Sequence, residues 1–162
     1  MKKYLSFLVL AVTVCALVLS FTACSLSLAK SKDFSKAGLT ITLTDDFSEQ
    51  DIITQTAYYV SQKAIVTTLK EESETIADFT VKEYAELVCT VNKLDESSVV
   101  VKDGYAEFTY EKEVNGKECY YYARCFKNGT AFWLIQFGCE TKNSEEYQKT
   151  FEKWAATVTF ED

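Results

Sequence analysis

The residues of this sequence best suited to chemistry lie in one run, EFTYEKEVNGKECYYYARCFKNGTAFWLIQF, from Glu107 to Phe137. It holds the only arginine of the chain, Arg124, close to Tyr120, Tyr122 and Trp133, with Glu107 upstream. A guanidinium among aromatic rings can stack on a ring face and grip a carboxylate through two parallel N–H bonds. Asn115-Gly116 and Asn128-Gly129 divide the run, and such dipeptides form two-residue hairpin turns that fix register. Pairing across Asn115-Gly116 sets Tyr110 against Tyr121, Phe108 against Ala123 and Glu107 against Arg124. With Asn128-Gly129 as a second loop, Cys125 faces Phe132, Tyr122 faces Ile135, and Arg124 faces Trp133. Ala106, Phe108, Tyr110, Tyr121, Ala123, Cys125, Phe132 and Leu134 then form a core face. The opposite face carries Glu107, Tyr120, Tyr122, Arg124 and Trp133 as a candidate binding surface, next to Thr109, Glu111, Ile135 and Phe137. The competing reading is that a helix covers this face and leaves Glu107–Arg124 as a cross-strand pair at its margin.

The rest of the chemical inventory excludes more than it offers. There is no histidine, which removes Ser-His-Asp and Cys-His catalysis and histidine metal sites. A metal site is not expected, because the cysteines show no C-x-x-C spacing. Asp45, Asp46, Glu49 and Asp51 stand close together, but without EF-hand spacing or its turn glycine they read as an exposed acidic loop. No Gly-rich phosphate loop occurs. Carboxylate pairs could in principle hydrolyse a glycoside, yet none stands in a motif. No enzyme activity and no cofactor are expected.

Cysteines raise a second question. Cys119 and Cys125 are six residues apart on one strand, about 20 Å at 3.3 Å per residue, too far to pair with each other. A bulge at Gly138 would bring Cys139 beside Cys119. Cys89, on a helix, would reach Cys125 if that helix lay on the core face. Four buried free thiols are the alternative.

Cys24 differs from these. Lys2 and Lys3 precede an almost wholly apolar run from Leu5 to Leu19, a charged start and apolar stretch of the secretory kind. The run approaches the roughly 17 residues that can cross a bilayer, but the cysteine at its end favours processing over retention. Phe21-Thr22-Ala23-Cys24 resembles the lipobox of bacterial lipoproteins, with Phe21 where the family prefers leucine. The resemblance implies cleavage before Cys24, a diacylglyceryl group on its sulfur, and anchorage to membrane lipid on the extracytoplasmic face. Residues 1–23 are then a signal peptide and 24–37, rich in serine and lysine, a lipidated tether. Residues 38–162 form one domain with 12 basic and 23 acidic residues, a net −11, which argues against binding nucleic acid by charge.

Periodicity places the groups. GLTITLT at 38–44 alternates as a half-buried strand, and DDFSEQDII follows as a loop. AYYVS at 57–61 and AIVTTLK at 64–70 read as a hairpin. Thr80 and Glu83 stand in capping-box spacing ahead of an amphipathic helix to Val91. Strands at 97–102, 105–114, 117–127 and 130–139 form a meander; a helix at 144–156 and a last short strand, TVTFED, complete the chain.

This order, with GLTITLTDDF at its opening, the YYYARCFKNGTAFWLIQF hairpin at its centre and YQKTFEKWAATVTF at its close, resembles the Mog1p/PsbP-like fold and its small bacterial lipoprotein members. The resemblance implies an α+β fold: a mainly antiparallel sheet, a meander of hairpins, with helices packed on its faces as an α/β/α sandwich. It also implies an accessory or binding role at membranes and on partner proteins. Two functions follow. The first is a non-enzymatic accessory module for another envelope protein. The second is a carrier for a small apolar or amphipathic ligand on the aromatic face. A histidine-free enzyme is a remote third.

Overall fold

The computed structural model describes residues 29–161. The expected signal segment, residues 1–23, and the expected lipidation site, Cys24, lie outside the described residues. Ten strands are described: β1 Ser31–Lys36, β2 Leu39–Thr44, β3 Ser48–Gln50, β4 Ala57–Val60, β5 Ala64–Glu71, β6 Val100–Lys102, β7 Tyr105–Val114, β8 Lys117–Asn128, β9 Ala131–Glu140 and β10 Thr159–Phe160. The α-helices among them are α1, Val81–Asn92, and α2, Ser144–Ala155. Strands β3-β4-β5-β9-β8-β7-β6 form one antiparallel sheet, and β1-β2-β10 form a second, smaller one.

The long meander strands explain the layering. On one face of the large sheet, Ala106, Phe108, Ala123, Cys125, Phe132 and Leu134 are buried against Tyr84, Ala85, Val88 and Cys89 of α1. The helix starts as its sequence dictates: Thr80 Oγ1 accepts from Glu83 N at 3.2 Å, and Glu83 Oε2 accepts from Thr80 N at 2.8 Å. It stops at Lys93, whose left-handed φ of 58° ends the helical path. On the other face, Tyr59, Val66, Trp133, Ile135 and Phe137 are buried against Phe34, Leu39, Ile41 and Leu43 of the small sheet and Phe151 and Ala155 of α2. Fully burying an aliphatic or aromatic side chain of this size contributes about 1.5–3 kcal/mol, so these two cores, with a smaller cluster of Tyr58, Ile65, Cys119 and Tyr121, are the main source of the sheet's stability. The α/β/α description therefore needs one refinement: a helix and a three-stranded sheet share the second face.

Three expectations are corrected. Residues 31–36 are strand rather than tether, because Lys36-Ala37-Gly38-Leu39 makes a tight hairpin with φ of 55° at Ala37 and 90° at Gly38. Only Phe34 of β1 is buried, and its ring packs on Tyr59 with centroids 4.9 Å apart. The loop expected after β2 contains β3, paired with β4. The second meander turn also differs. Asn128 pairs with Ala131, so Gly129 and Thr130 are the loop and every partner shifts by two: Cys125 faces Leu134, Tyr122 faces Phe137, and Arg124 faces Ile135. Gly129, with φ of 60°, stands first in this loop, as a Gly-X hairpin of type II′ requires.

Gly138 forms no bulge. It pairs in regular register with Ile65 and Tyr121. Its missing side chain serves packing instead: a Cβ there would lie 2.7 Å from Cε1 of Tyr121. The Tyr121 ring lies over the glycine and stacks on Tyr110 at 4.8 Å, so side chains cover this part of the sheet beyond α1.

Candidate functional site

The β7–β8 pairing holds as the Asn115-Gly116 turn dictates, with Glu107 opposite Arg124. The guanidinium sits at the sheet margin in a relay of bonds. Arg124 Nε donates to Tyr122 Oη at 2.6 Å, and Tyr122 Oη donates to the Glu107 carboxylate. Glu107 Oε2 lies 3.3 Å from Nε. The ring of Tyr105 closes the arrangement, 4.1 Å from the guanidinium carbon. Burial, and then the bond to Glu107, hold the Tyr122 hydroxyl well above its ordinary range, so it stays a proton donor at physiological pH. Arg124 is 7% exposed, so its guanidinium is enclosed by these partners, a setting that suits arginine better than a strongly hydrated ammonium.

The other two members of the expected face share it but stand apart from this network. Tyr120 packs parallel to Phe151 of α2 at 6.5 Å, with its hydroxyl raised by burial. Trp133, 1% exposed, packs on Phe160 at 5.5 Å and under the Lys70 ammonium at 5.7 Å. The expected Arg124–Trp133 juxtaposition does not form, because the turn shift sets Trp133 against Phe126. Glu107, Tyr122 and Arg124 come together; Tyr120 and Trp133 do not join them. Sequence reasoning missed Tyr105, although it stands two residues from Glu107 and so on the same face.

Neither possible disulfide is present, and the alternative holds: Cys89, Cys119, Cys125 and Cys139 are free and buried. Without a bulge at Gly138, Cys139 pairs with Tyr120 and Cys119 with Glu140, which sends the two thiols to opposite faces. Cys89 and Cys125 do share the core under α1. Burial pushes the Cys89 and Cys139 thiols up to about 12 and the Cys125 thiol well above its ordinary value. Protonated and enclosed, they are poor nucleophiles. The acidic loop is also engaged: Asp45 Oδ1 accepts from Lys30 N at 3.0 Å, while Glu49 and Asp51 both pair with Lys36.

Open concavities lie at the turn end of the sheet. One cleft, about 340 Å³, runs between Glu74, Ala77 and Thr130. Its neighbour, about 330 Å³, is lined by the Ala37-Gly38 turn, Lys70, Asn128, Trp133 and Glu161. Glu72 borders both. Lys127 secures the nearby loop by donating to the carbonyls of Ala77 and Phe79, each at 2.8 Å.

No protein-family model matches the sequence, and no curated protein does. Solved structures match in shape. A Bacteroides thetaiotaomicron protein superposes with a TM-score of 0.59 at 12% identity over 84% of this chain, which spans 50% of that protein. Mog1p, the Ran-binding protein of Saccharomyces cerevisiae, gives 0.56 at 8% identity, covering 82% of this chain and 96% of its own. LpqN of Mycobacterium tuberculosis, described as involved in cell envelope biogenesis, gives 0.53 at 9%, covering 84% and 93%. The chain therefore has the Mog1p/PsbP-like fold expected from its order of elements.

Proposed function

We propose that this protein is a lipid-anchored, extracytoplasmic accessory module that binds another envelope component by surface contact and carries out no chemistry of its own. The filled aromatic face carries the reading. Tyr122, Ile135 and Phe137 are packed under α2 and the small sheet, so a carrier on the centre of that face would have to open a core to admit its ligand. A surface-contact partner needs no such opening. No helix among the described residues is long and apolar enough to cross a membrane. The neighbours support the same reading, since one is named for binding Ran and another for cell envelope biogenesis. The net −11 of residues 38–162 favours a partner that presents basic groups.

Intact-mass spectrometry of the protein purified from its native membrane in mild detergent tests both halves. The expected spectrum shows a chain starting at Cys24, carrying diacylglycerol and no stoichiometric small molecule. A bare thiol at Cys24 would overturn the anchor, and a co-purifying apolar ligand would restore the carrier.

A further inference from the structure

The cleft beside the Ala37-Gly38 turn already holds a cation. The Lys70 ammonium lies 5.7 Å from the centroid of the Trp133 ring and 2.8 Å from Glu72 Oε1. Glu161 borders the same cleft. Its main chain is fixed, because its N–H donates to Gly38 O at 2.8 Å and its carbonyl accepts from Asn128 Nδ2 at 3.4 Å. An indole with carboxylates at its border attracts a positive group through the ring quadrupole and through charge together. The present occupant is weakly held: the side chains of Lys70 and Glu72 are 35% and 56% exposed, and ion pairs this exposed contribute little. Glu161 is not part of that pair.

We propose that this cleft is a seat for a cationic group from another molecule, an ammonium or a guanidinium. The incoming group displaces Lys70 from above Trp133 and draws on the Glu161 carboxylate as well as on Glu72. This rests on the binding-module reading for its biological setting and deepens it by naming the chemistry the partner presents. A guanidinium fits best, since its plane can stack on the indole while its edge pairs with a carboxylate. The volume, about 330 Å³, is at the small end of ligand sites, enough for one side chain or small cation.

The protein has two tryptophans, so Trp154→Phe leaves Trp133 as the sole reporter. Trp133 fluorescence is followed while the capped peptide Ac-Gly-Arg-Gly-NH2, its methionine counterpart, or spermidine is added to Trp154→Phe and to Trp154→Phe/Lys70→Ala. Unfolding curves confirm that each variant is folded. The expected result is a saturable change with the arginine peptide, about tenfold tighter once Lys70 is removed. It should weaken at least about tenfold when Glu72→Gln and Glu161→Gln are added. Tighter binding of the peptide than of spermidine assigns the source to a protein side chain, and the reverse assigns it to a free polycation. No saturable change without Lys70, the same change with the methionine peptide, or indifference to loss of both carboxylates would overturn the seat. None of these results touches the native-mass test of anchoring, so the two can fail separately.

Discussion

The Arg124 margin and the Trp133 cleft share one face of one sheet, yet they are chemically opposite. At the margin a cation is locked in place: its Nε is bonded, its guanidinium carbon lies 4.1 Å from the Tyr105 ring centroid, and 7% of the residue is exposed. At the cleft a cation rests on a ring with a side chain 35% exposed and one exposed partner. The difference lies in the neighbours. Arg124 is surrounded by residues of its own hairpin, whose register permits one geometry. Lys70 is next to the end of β5, where turns and Glu161 border open space. A network closed by register supports the fold; a cation left at the rim of a cleft is free to exchange. The opposite roles of two similar-looking aromatic–cation contacts follow from that.

The largest test removes what covers the shared face. Phe151 is fully buried and packs on Phe137, Tyr147 and Trp154, so Phe151→Ala should cost about 3–5 kcal/mol in denaturant unfolding. A loss below about 1 kcal/mol would mean that α2 does not hold the face closed. Next, Arg124→Met leaves Glu107 and Tyr122 without their shared partner and should cost about 1–3 kcal/mol. Arg124→Lys should recover little of it, because an ammonium has no fork. Lys70→Met, in contrast, should shift stability by less than about 1 kcal/mol. If Lys70→Met cost as much as Arg124→Met, the contrast between margin and cleft would be wrong.

A test of similar size addresses packing. Gly138→Ala should cost about 1–3 kcal/mol by displacing the Tyr121 ring, and Tyr121→Leu in the same chain should recover part of that loss. The smallest effect concerns pH. Tyr84 donates to the Glu71 carboxylate, and desolvation raises the Glu71 pKa above its ordinary 4.5 despite that bond. The folded state therefore holds this proton more tightly than the unfolded state does. Glu71 makes folding less favourable as pH rises from the ordinary carboxylate range through its raised folded pKa, and by a constant amount above it. Glu71→Gln should raise the Tm at pH 7 and leave it nearly unchanged at pH 4; a lower Tm at pH 7 would contradict the sign.

Much of this was legible in the sequence, and what was not has local causes. Asn115-Gly116 fixed its hairpin to the residue because both positions take positive φ, 53° and 77°, the type I′ geometry that the dipeptide favours. Asn128-Gly129 looks the same in sequence, but the loop there begins at Gly129, and partners moved by two. A shift of two preserves faces, so the division into core and aromatic sides survived while Arg124 lost Trp133. Strand β1 was hidden because a lone Phe34 gives no alternation to read. A glycine inside a strand signals backbone freedom in sequence, whereas Gly138 leaves space for the Tyr121 ring. The Glu107–Arg124 pair needed only register, whereas the cleft needed the end of β5, two turns and the last residues of the chain, which no local pattern links.

The most direct measurement is site-specific photo-crosslinking in native cells, with the reactive residue placed in turn at Thr130, on the rim of the cleft that adjoins the Trp133 cleft across Glu72, and at Thr109, exposed on the margin strand. The expected result is a discrete adduct from position 130 to one envelope protein, lost when Glu72→Gln and Glu161→Gln are introduced, with only diffuse labelling from position 109. A discrete adduct from 109 alone, or one from 130 that survives loss of both carboxylates, would contradict binding through a cationic group at the cleft end.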